Sequence, residues 1–385
     1  MIIKSLSLDS FRNFKEEKLI PCDGVNVIYG DNAQGKTNIL EAIWLFTGSK
    51  SFRSSRDQDY IPIKPNSFSD DALDMIINSP YARLELEFFG RSRLQNAKIQ
   101  IKDGKKKAFL NEIEKSSISK LSGEFLGVYF FPGDLSIVKD SPSVRRKFID
   151  GVLSSLYPKY ISYLSDYNKL LLQRNALLKD IKYNNSLFDI LSAYDSQLVV
   201  YGANIIMQRK KALNSLIDIA REIYDGISDQ REEFSFRYLP GLEGYNEDMT
   251  LDGLKSAYGS CLKAELKQDI ASGCTFSGAH RDDIEFFING VSAKNFGSQG
   301  QQRSIALALK LALSPLIHSI TGERPVIILD DVMSELDKKR KEYILNHVKD
   351  NQIFISCCDK NDLVGLEKGK SFLIKNGKIE STQEL

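Results

Sequence analysis

Histidine is scarce, at three residues in 385, tryptophan occurs once, and the five cysteines (Cys22, Cys261, Cys274, Cys357, Cys358) are odd in number and scattered. No C-x-x-C pair has metal-ligand spacing, and adjacent Cys357 and Cys358 would make a strained disulfide. Reduced thiols in a cytosolic protein are the simplest reading. A surplus of charge is missing too. With 52 Lys and Arg against 51 Asp and Glu the formal net charge is +1, so any nucleic-acid site must be a local patch. The N-terminus lacks the charged segment and apolar core of a signal peptide, and none is expected. The most apolar long stretch, Ile305 to Ile320, is interrupted by Lys310, Ser314, Pro315 and His318 and falls short of the ~20 apolar residues that span a bilayer, so no membrane is expected. Internal repeats and low-complexity tracts are absent.

What remains is a soluble globular composition, 42% hydrophobic and 27% charged, long enough for one large domain or two to three ordinary ones. Val25 to Tyr29 reads as a short apolar strand ended by Gly30, and Thr37 to Phe46 as a helix with Ile39, Leu40, Ile43 and Trp44 on one face. Leu84, Leu86 and Phe88 alternate with charged residues, Ala97, Ile99 and Ile101 repeat that period of two, and Asp103-Gly104 signals a hairpin turn. Gly127 to Phe131 is a further strand. From Ser143 to Ile227 the pattern is helical, with one face at Leu164, Tyr167, Leu171 and Leu178 and a second running from Phe188 to Ile223. If continuous, the second helix would be ~40 residues and about 60 Å long. A polar turn near Tyr183-Asn184-Asn185 suggests an antiparallel hairpin; an ordinary helical subdomain is equally compatible. Strands return at Ile284–Ile288, Val326–Leu329, Ile353–Ile355 and Phe372–Ile374, with helices at Gln301–Leu313 and Asp337–Lys349.

Two motifs carry chemistry. Gly30-Asp31-Asn32-Ala33-Gln34-Gly35-Lys36-Thr37 matches G-x-x-x-x-G-K-[ST] between a strand and a helix, with Asn38 following. The glycines let backbone N–H groups face inward, and the helix N-terminus adds partial positive charge toward phosphates. Lys36 can then reach the β- and γ-phosphates and the Thr37 hydroxyl can ligate Mg²⁺. Val326-Ile327-Ile328-Leu329-Asp330-Asp331 supplies a buried parallel strand with two carboxylates at its C-terminal end, where ligands gather on open α/β sheets. Asp330 is assigned to Mg²⁺ and Asp331 to the attacking water, although Asp331 can also serve as a turn cap. Together these mark a P-loop NTPase. Upstream of the carboxylates, Ser298-Gln299-Gly300-Gln301-Gln302-Arg303 opens a helix, either as a second anion-binding device or as a simple Ser N-cap.

Ser298-Gln299-Gly300-Gln301 resembles the signature of ABC-type ATPases, and Ser334-Glu335-Leu336-Asp337 their D-loop. In order along the chain, several blocks are similar to the RecF family. They are Phe11-Arg12-Asn13-Phe14, Lys50-Ser51-Phe52-Arg53, Phe131-Pro132-Gly133-Asp134-Leu135 with Pro142 and Arg145-Arg146, Gly278-Ala279-His280-Arg281-Asp282-Asp283, and Leu329 to Asp337. The resemblance implies an α/β fold, an ABC/SMC-type P-loop NTPase head with an inserted α-helical subdomain. Its expected boundaries are 1–142 plus 274–385 for the head and 143–273 for the insertion. It also implies ATP and Mg²⁺ as cofactors, an ATP-dependent homodimer in which Ser298, Gln299, Gly300 and Gln301 act in trans, and D-loop roles for Ser334 and Asp337. The implied partners are DNA at gaps and single-strand/double-strand junctions, and RecR, RecO and RecA. The sequence departs from the pattern at Gly133, at Ala279, at Asp331 in place of glutamate, and at Ser356-Cys357-Cys358, where no switch histidine follows the strand. Slow turnover is expected.

Weaker candidates remain open. Arg12 and Arg53 are possible phosphate or DNA contacts, or surface ion-pair partners. His280 is read as part of a structural network rather than a metal site. Lys105-Lys106-Lys107, Arg145-Arg146-Lys147, Arg209-Lys210-Lys211 and Lys338-Lys339-Arg340-Lys341 are read as solvated faces. A transporter-type ATPase subunit and an SMC/Rad50-like tether are the alternatives; the chain has no long heptad arms and no Cys-x-x-Cys hook.

Overall fold

The computed structural model describes residues 1–51, 60–61, 81–102, 105–181, 184–333, 336–358 and 369–384. Arg53, Ser334 and the Asp103-Gly104 turn lie outside the described residues. The chain divides into two compact units, residues 1–134 with 313–385, and residues 135–312.

The first unit contains two six-stranded sheets. One joins β1 (Ile2–Phe11), β2 (Phe14–Leu19), β4 (Tyr81–Gly90), β5 (Arg93–Lys102), β6 (Lys105–Leu110) and β7 (Ile113–Lys115) in the order β2-β1-β4-β5-β6-β7, every pairing antiparallel. Its inward face follows the alternation in the sequence: Leu84, Leu86, Phe88, Ala97, Ile99 and Ile101 are all buried. The other joins β3 (Val25–Tyr29), β8 (Gly127–Phe130), β12 (Val326–Asp330), β13 (Ile353–Cys357), β14 (Gly369–Lys375) and β15 (Lys378–Glu384) in the order β15-β14-β3-β13-β12-β8. All pairs except β14 with β15 are parallel. Residues Val326 to Asp330 and Ile353 to Cys357 are buried throughout, the uninterrupted apolar pattern that a parallel sheet covered on both faces requires. β1 matches the strand-like segment that follows Met1 in the sequence, whereas β2 was not evident there, since charged residues on its outer face dilute the apolar run.

The second unit is helical with a small sheet. Helices α2 (Pro142–Leu156), α3 (Pro158–Ile181) and α4 (Phe188–Ser228) confirm the helical reading, and α4 is unbroken over 41 residues. The α3/α4 hairpin is antiparallel. Ile181 shares a core cluster with Leu191, Arg174 bonds Asp195 at 2.6 Å, and the Tyr163 and Tyr201 rings lie 6.0 Å apart, so positions advance on one helix as they recede on the other. The region after Ile227 is not purely helical. β9 (Phe234–Leu239) pairs antiparallel with β10 (Asp283–Ile288), which pairs with β11 (Val291–Ser292). That sheet lies in the second compact unit, with β9 before and β10 after position 273.

A helix spanning Gln299–Thr321 is, by length and composition alone, apolar enough to cross a membrane, contrary to the count made on the sequence. Its window is 67% buried inside the protein, the mark of a core helix.

Candidate functional site

The order of the parallel sheet brings the C-terminal ends of β3, β13 and β12 side by side. The glycine-rich loop leaves β3, the paired aspartates end β12, and Ser356 on β13 lies between them, in register with Asp330 and next to the Cys357–Tyr29 pair. A cleft of about 430 Å³ opens there, lined by Asn32, Ala33, Gly35, Lys36, Thr37, Asn38, Asp331 and Ser356. All of these residues belong to the first unit.

The loop needs its glycines. Gly30 has φ 142, and a Cβ there would come 2.3 Å from the Ile374 carbonyl oxygen. Gly35 has φ 115, and a Cβ would come within 2.9 Å of Asn13 and Phe14. Both are left-handed conformations that a side chain would strain. Ala33 also has positive φ, at 64. Gly35 caps helix α1 (Lys36–Leu45), its carbonyl accepting from the Asn38 N–H at 2.9 Å and the Ile39 N–H at 3.2 Å.

Lys36, 7% exposed, folds back on the loop, its ammonium donating to the Gly30 carbonyl at 2.5 Å and to the Asp31 carbonyl at 2.9 Å. Thr37 Oγ1 donates to Asp330 Oδ1 at 3.1 Å. Asp330 is buried, whereas Asp331 is exposed, in a left-handed conformation with φ 56, and its N–H donates to Ser356 Oγ at 2.9 Å. Eight expected residues, Asn32, Ala33, Gly35, Lys36, Thr37, Asn38, Asp330 and Asp331, thus converge on one cleft or its wall. Hydroxyl and carboxylate oxygens are the hard donors that suit Mg²⁺.

The block Phe11-Arg12-Asn13-Phe14 is explained by this loop. Asn13 donates to the Gln34 carbonyl and accepts from Asn38, both at 2.8 Å. Gln34 is further held by the N–H groups of Asn376 at 2.6 Å and Gly377 at 3.2 Å. Arg12 turns toward α1. It makes a two-point ion pair with the fully buried Glu41 of α1, at 3.0 and 2.7 Å, and lies 5.0 Å over the Tyr60 ring. This is the ion-pair role among the alternatives for Arg12, in an internal rather than a surface setting.

The Ser298 segment belongs to the second unit. Ser298, Gln299 and Gly300 are exposed. Ser298 Oγ accepts from the Gln301 N–H at 3.2 Å while Gln301 Oε1 accepts from the Ser298 N–H at 2.8 Å, a reciprocal capping box. The N-cap reading therefore holds for Ser298 in this state. Asp337, in the first unit, caps helix Lys338–His347 by accepting from the Arg340 N–H at 3.0 Å.

Two of the basic clusters are not solvated faces. Arg145 is buried and pairs with Asp283 at 2.6 and 3.0 Å, Arg146 donates to the Asp282 carbonyl, and buried Arg209 grips Asp150 and Asp282. His280 sits in that neighbourhood, with Nδ1 2.8 Å from Tyr167 OH and Nε2 3.0 Å from the Thr275 carbonyl. Burial pushes its pKa down to about 4. Among the described residues no cluster of His, Cys, Asp and Glu could hold a metal ion.

Tyr129 and Ser356 were missed as site residues. Tyr129 OH donates to Asp330 Oδ2 at 2.7 Å and Ser356 Oγ donates to Oδ1 at 2.6 Å. A serine ending an apolar strand was a visible signal; the tyrosine was not separable from core.

Residues 2–379 match the family model described as the RecF/RecN/SMC N terminal domain. The chain is 40% identical over 382 residues to the DNA replication and repair protein RecF of Clostridium perfringens, covering 99% of this chain and 100% of that protein. It is 39% identical over 362 residues to the protein of the same name from Acetivibrio thermocellus, 94% of each chain. A solved structure of the recombination mediator protein RecF-ATP in the RecFOR pathway superposes with a TM-score of 0.86 at 34% identity, covering 100% of this chain and 97% of that one. The Smc head domain of Pyrococcus furiosus, at 18% identity and a TM-score of 0.56 over 100% of this chain and 96% of that one, shares the fold. On this sequence match and this fold, the chain belongs to the RecF family, with the α/β ATPase head that RecF and SMC proteins have in common.

Proposed function

We propose that this chain is an ATP-gated DNA-binding switch of recombinational repair and replication restart, acting in the cytoplasm. The observation that carries this reading is the convergence of Lys36, Thr37, Asp330 and Asp331 at the ends of adjacent parallel strands. The glycine-rich loop, Gly30 to Thr37 with Asn38, wraps the phosphates, and the Lys36 ammonium exchanges its two carbonyl partners for phosphate oxygens. Thr37 and Asp330 would hold Mg²⁺, which when bound neutralises charge developing on the phosphates. Asp331 orients the attacking water; its side chain is one methylene shorter than glutamate, which favours slow hydrolysis.

ATP favours a closed homodimer in which Ser298, Gln299, Gly300 and Gln301 of one copy meet the nucleotide of the other, with Ser334 and Asp337 as D-loop residues at the same contact. The exposed, pre-capped helix tip at Ser298 supports that role, since its N–H groups and partial positive charge suit an anion. ATP can drive closure only by binding the closed state more tightly. The closed dimer binds single-strand gaps and single-strand/double-strand junctions, and acts with RecR and RecO to help load RecA.

The test follows ATP- and Mg²⁺-dependent binding to gapped and to blunt duplex DNA, with oligomeric state measured in parallel. Ser298→Arg should keep ATP binding and lose ATP-dependent dimerisation. Asp331→Asn should dimerise and stay dimeric longer. A wild-type protein that remains monomeric at saturating ATP would remove the basis for the switch.

A further inference from the structure

The Asp330 carboxylate is gripped by hydroxyls that the nucleotide motifs do not supply. Strand β12 lies between β13 and β8, and each neighbour contributes one donor. Ser356 on β13 donates to Oδ1 at 2.6 Å, and Tyr129 on β8 donates to Oδ2 at 2.7 Å. Thr37 makes the longest of the three bonds, at 3.1 Å. Tyr129, Ser356 and Asp330 are 2%, 1% and 4% exposed. Among the described residues no Lys or Arg pairs with Asp330. Ser356 Oγ also accepts the Asp331 N–H at 2.9 Å, where Asp331 holds its left-handed backbone.

We propose that Tyr129 and Ser356 are positioning residues that hold the Asp330 carboxylate in the orientation a divalent cation needs, and that Ser356 extends this constraint to Asp331. This rests on the ATPase reading. An aspartate carboxyl turns freely about its last torsion, and ligating carboxylates are held by hydrogen bonds from an outer layer of residues. Thr37 cannot serve as that outer layer, because its hydroxyl is itself assigned to the cation and must turn toward it. The two remaining donors sit on buried strands flanking β12, so they stay in place when Thr37 leaves. Neither carries charge, so neither competes electrostatically with the cation, as an arginine at the same position would.

The alternative is that the two hydroxyls only satisfy a buried carboxylate and affect stability alone. Trp44, the single tryptophan, separates the two. Its ring lies 5.6 Å from the Tyr129 ring, so its fluorescence reports on this corner. In the full chain, ATP affinity is measured in EDTA and then during Mg²⁺ titration, by equilibrium dialysis and by Trp44 emission. Tyr129→Phe should bind ATP in EDTA within about twofold of wild type, while the Mg²⁺ midpoint rises about tenfold, at the lower end of outer-layer effects on metal affinity, and Ser356→Ala should raise the midpoint likewise. Ser356→Thr, which keeps the hydroxyl, should restore the midpoint. Wild-type midpoints in both variants would overturn the proposal, as would an equal loss of affinity with and without the metal. A wild-type chain that binds no ATP at all would overturn the ATPase reading and this one with it.

Discussion

Asp330 in the first unit and Asp282 in the second are both buried at least 96%, and they are held in opposite ways. Asp330 accepts from three hydroxyls, Thr37, Ser356 and Tyr129. Asp282 accepts from the Arg209 guanidinium at 2.6 Å, from Tyr238 OH, and from the Gly241 N–H at 2.8 Å. Arg209 is itself closed off by both oxygens of Asp150 and by the Ala279 carbonyl. A buried carboxylate with a fixed cation is electrostatically complete and can do nothing further. One with neutral donors still attracts a cation, and its donors can rotate. The difference separates a structural staple from a site, although each residue opens an Asp-Asp pair.

That contrast can be broken at several points. Asp282→Asn leaves Arg209 facing a neutral group in a buried setting, and removing one partner of a buried pair costs about 3–5 kcal/mol. Urea unfolding followed by far-UV circular dichroism, dominated by the long helices of the second unit, should show the loss; a midpoint near wild type would mean that Asp150 alone satisfies Arg209.

Next in size is a pH effect. His280 has a pKa of about 4 in the folded protein because burial disfavours its charged form, against an ordinary value of 6.5. Between these values the unfolded chain binds the proton and the folded chain does not, so stability falls as pH drops from about 6.5 toward 4, by up to about 3 kcal/mol. His280→Gln should flatten that slope. The slope is measured from unfolding midpoints between pH 7 and pH 5; an unchanged slope would place the titrating group elsewhere.

The smallest effect is expected at the other aspartate. Asp330→Asn keeps the shape of the side chain, and its hydroxyl partners can turn to donate or accept as the amide requires. Stability should change by about 1 kcal/mol or less, read from Trp44 emission during urea unfolding, while Mg²⁺-dependent ATP binding is lost. A loss as large as that at Asp282 would erase the distinction drawn between the two.

Much of this was legible from spacing. The glycine-rich loop and the apolar strand ending in Asp330-Asp331 each announce themselves through local chemistry, and the 41-residue helix through an apolar face sustained over its length. Strand β9 escaped notice because Phe234–Leu239 carries only six residues between polar segments, and its identity depends on pairing with β10. The Arg145 and Arg209 clusters misled for a related reason: an arginine reads as surface until its carboxylate partner, here 138 residues away in one case and 73 in the other, is known.

By itself the sequence determined where phosphate can be cradled, because a tight loop of inward-facing N–H groups demands glycine at fixed spacing, and which strand presents its carboxylates, because a buried strand demands an unbroken apolar run. Tertiary structure alone decided that Arg12 braces Glu41, that Asn13 and Asn376 lock Gln34, and that Tyr129 and Ser356 close on Asp330 from either side. Those contacts join residues from 21 positions apart, Asn13 and Gln34, to 342 apart, Asn376 and Gln34, through strand order, and strand order is a property of how whole segments pack, which no local pattern of residues encodes.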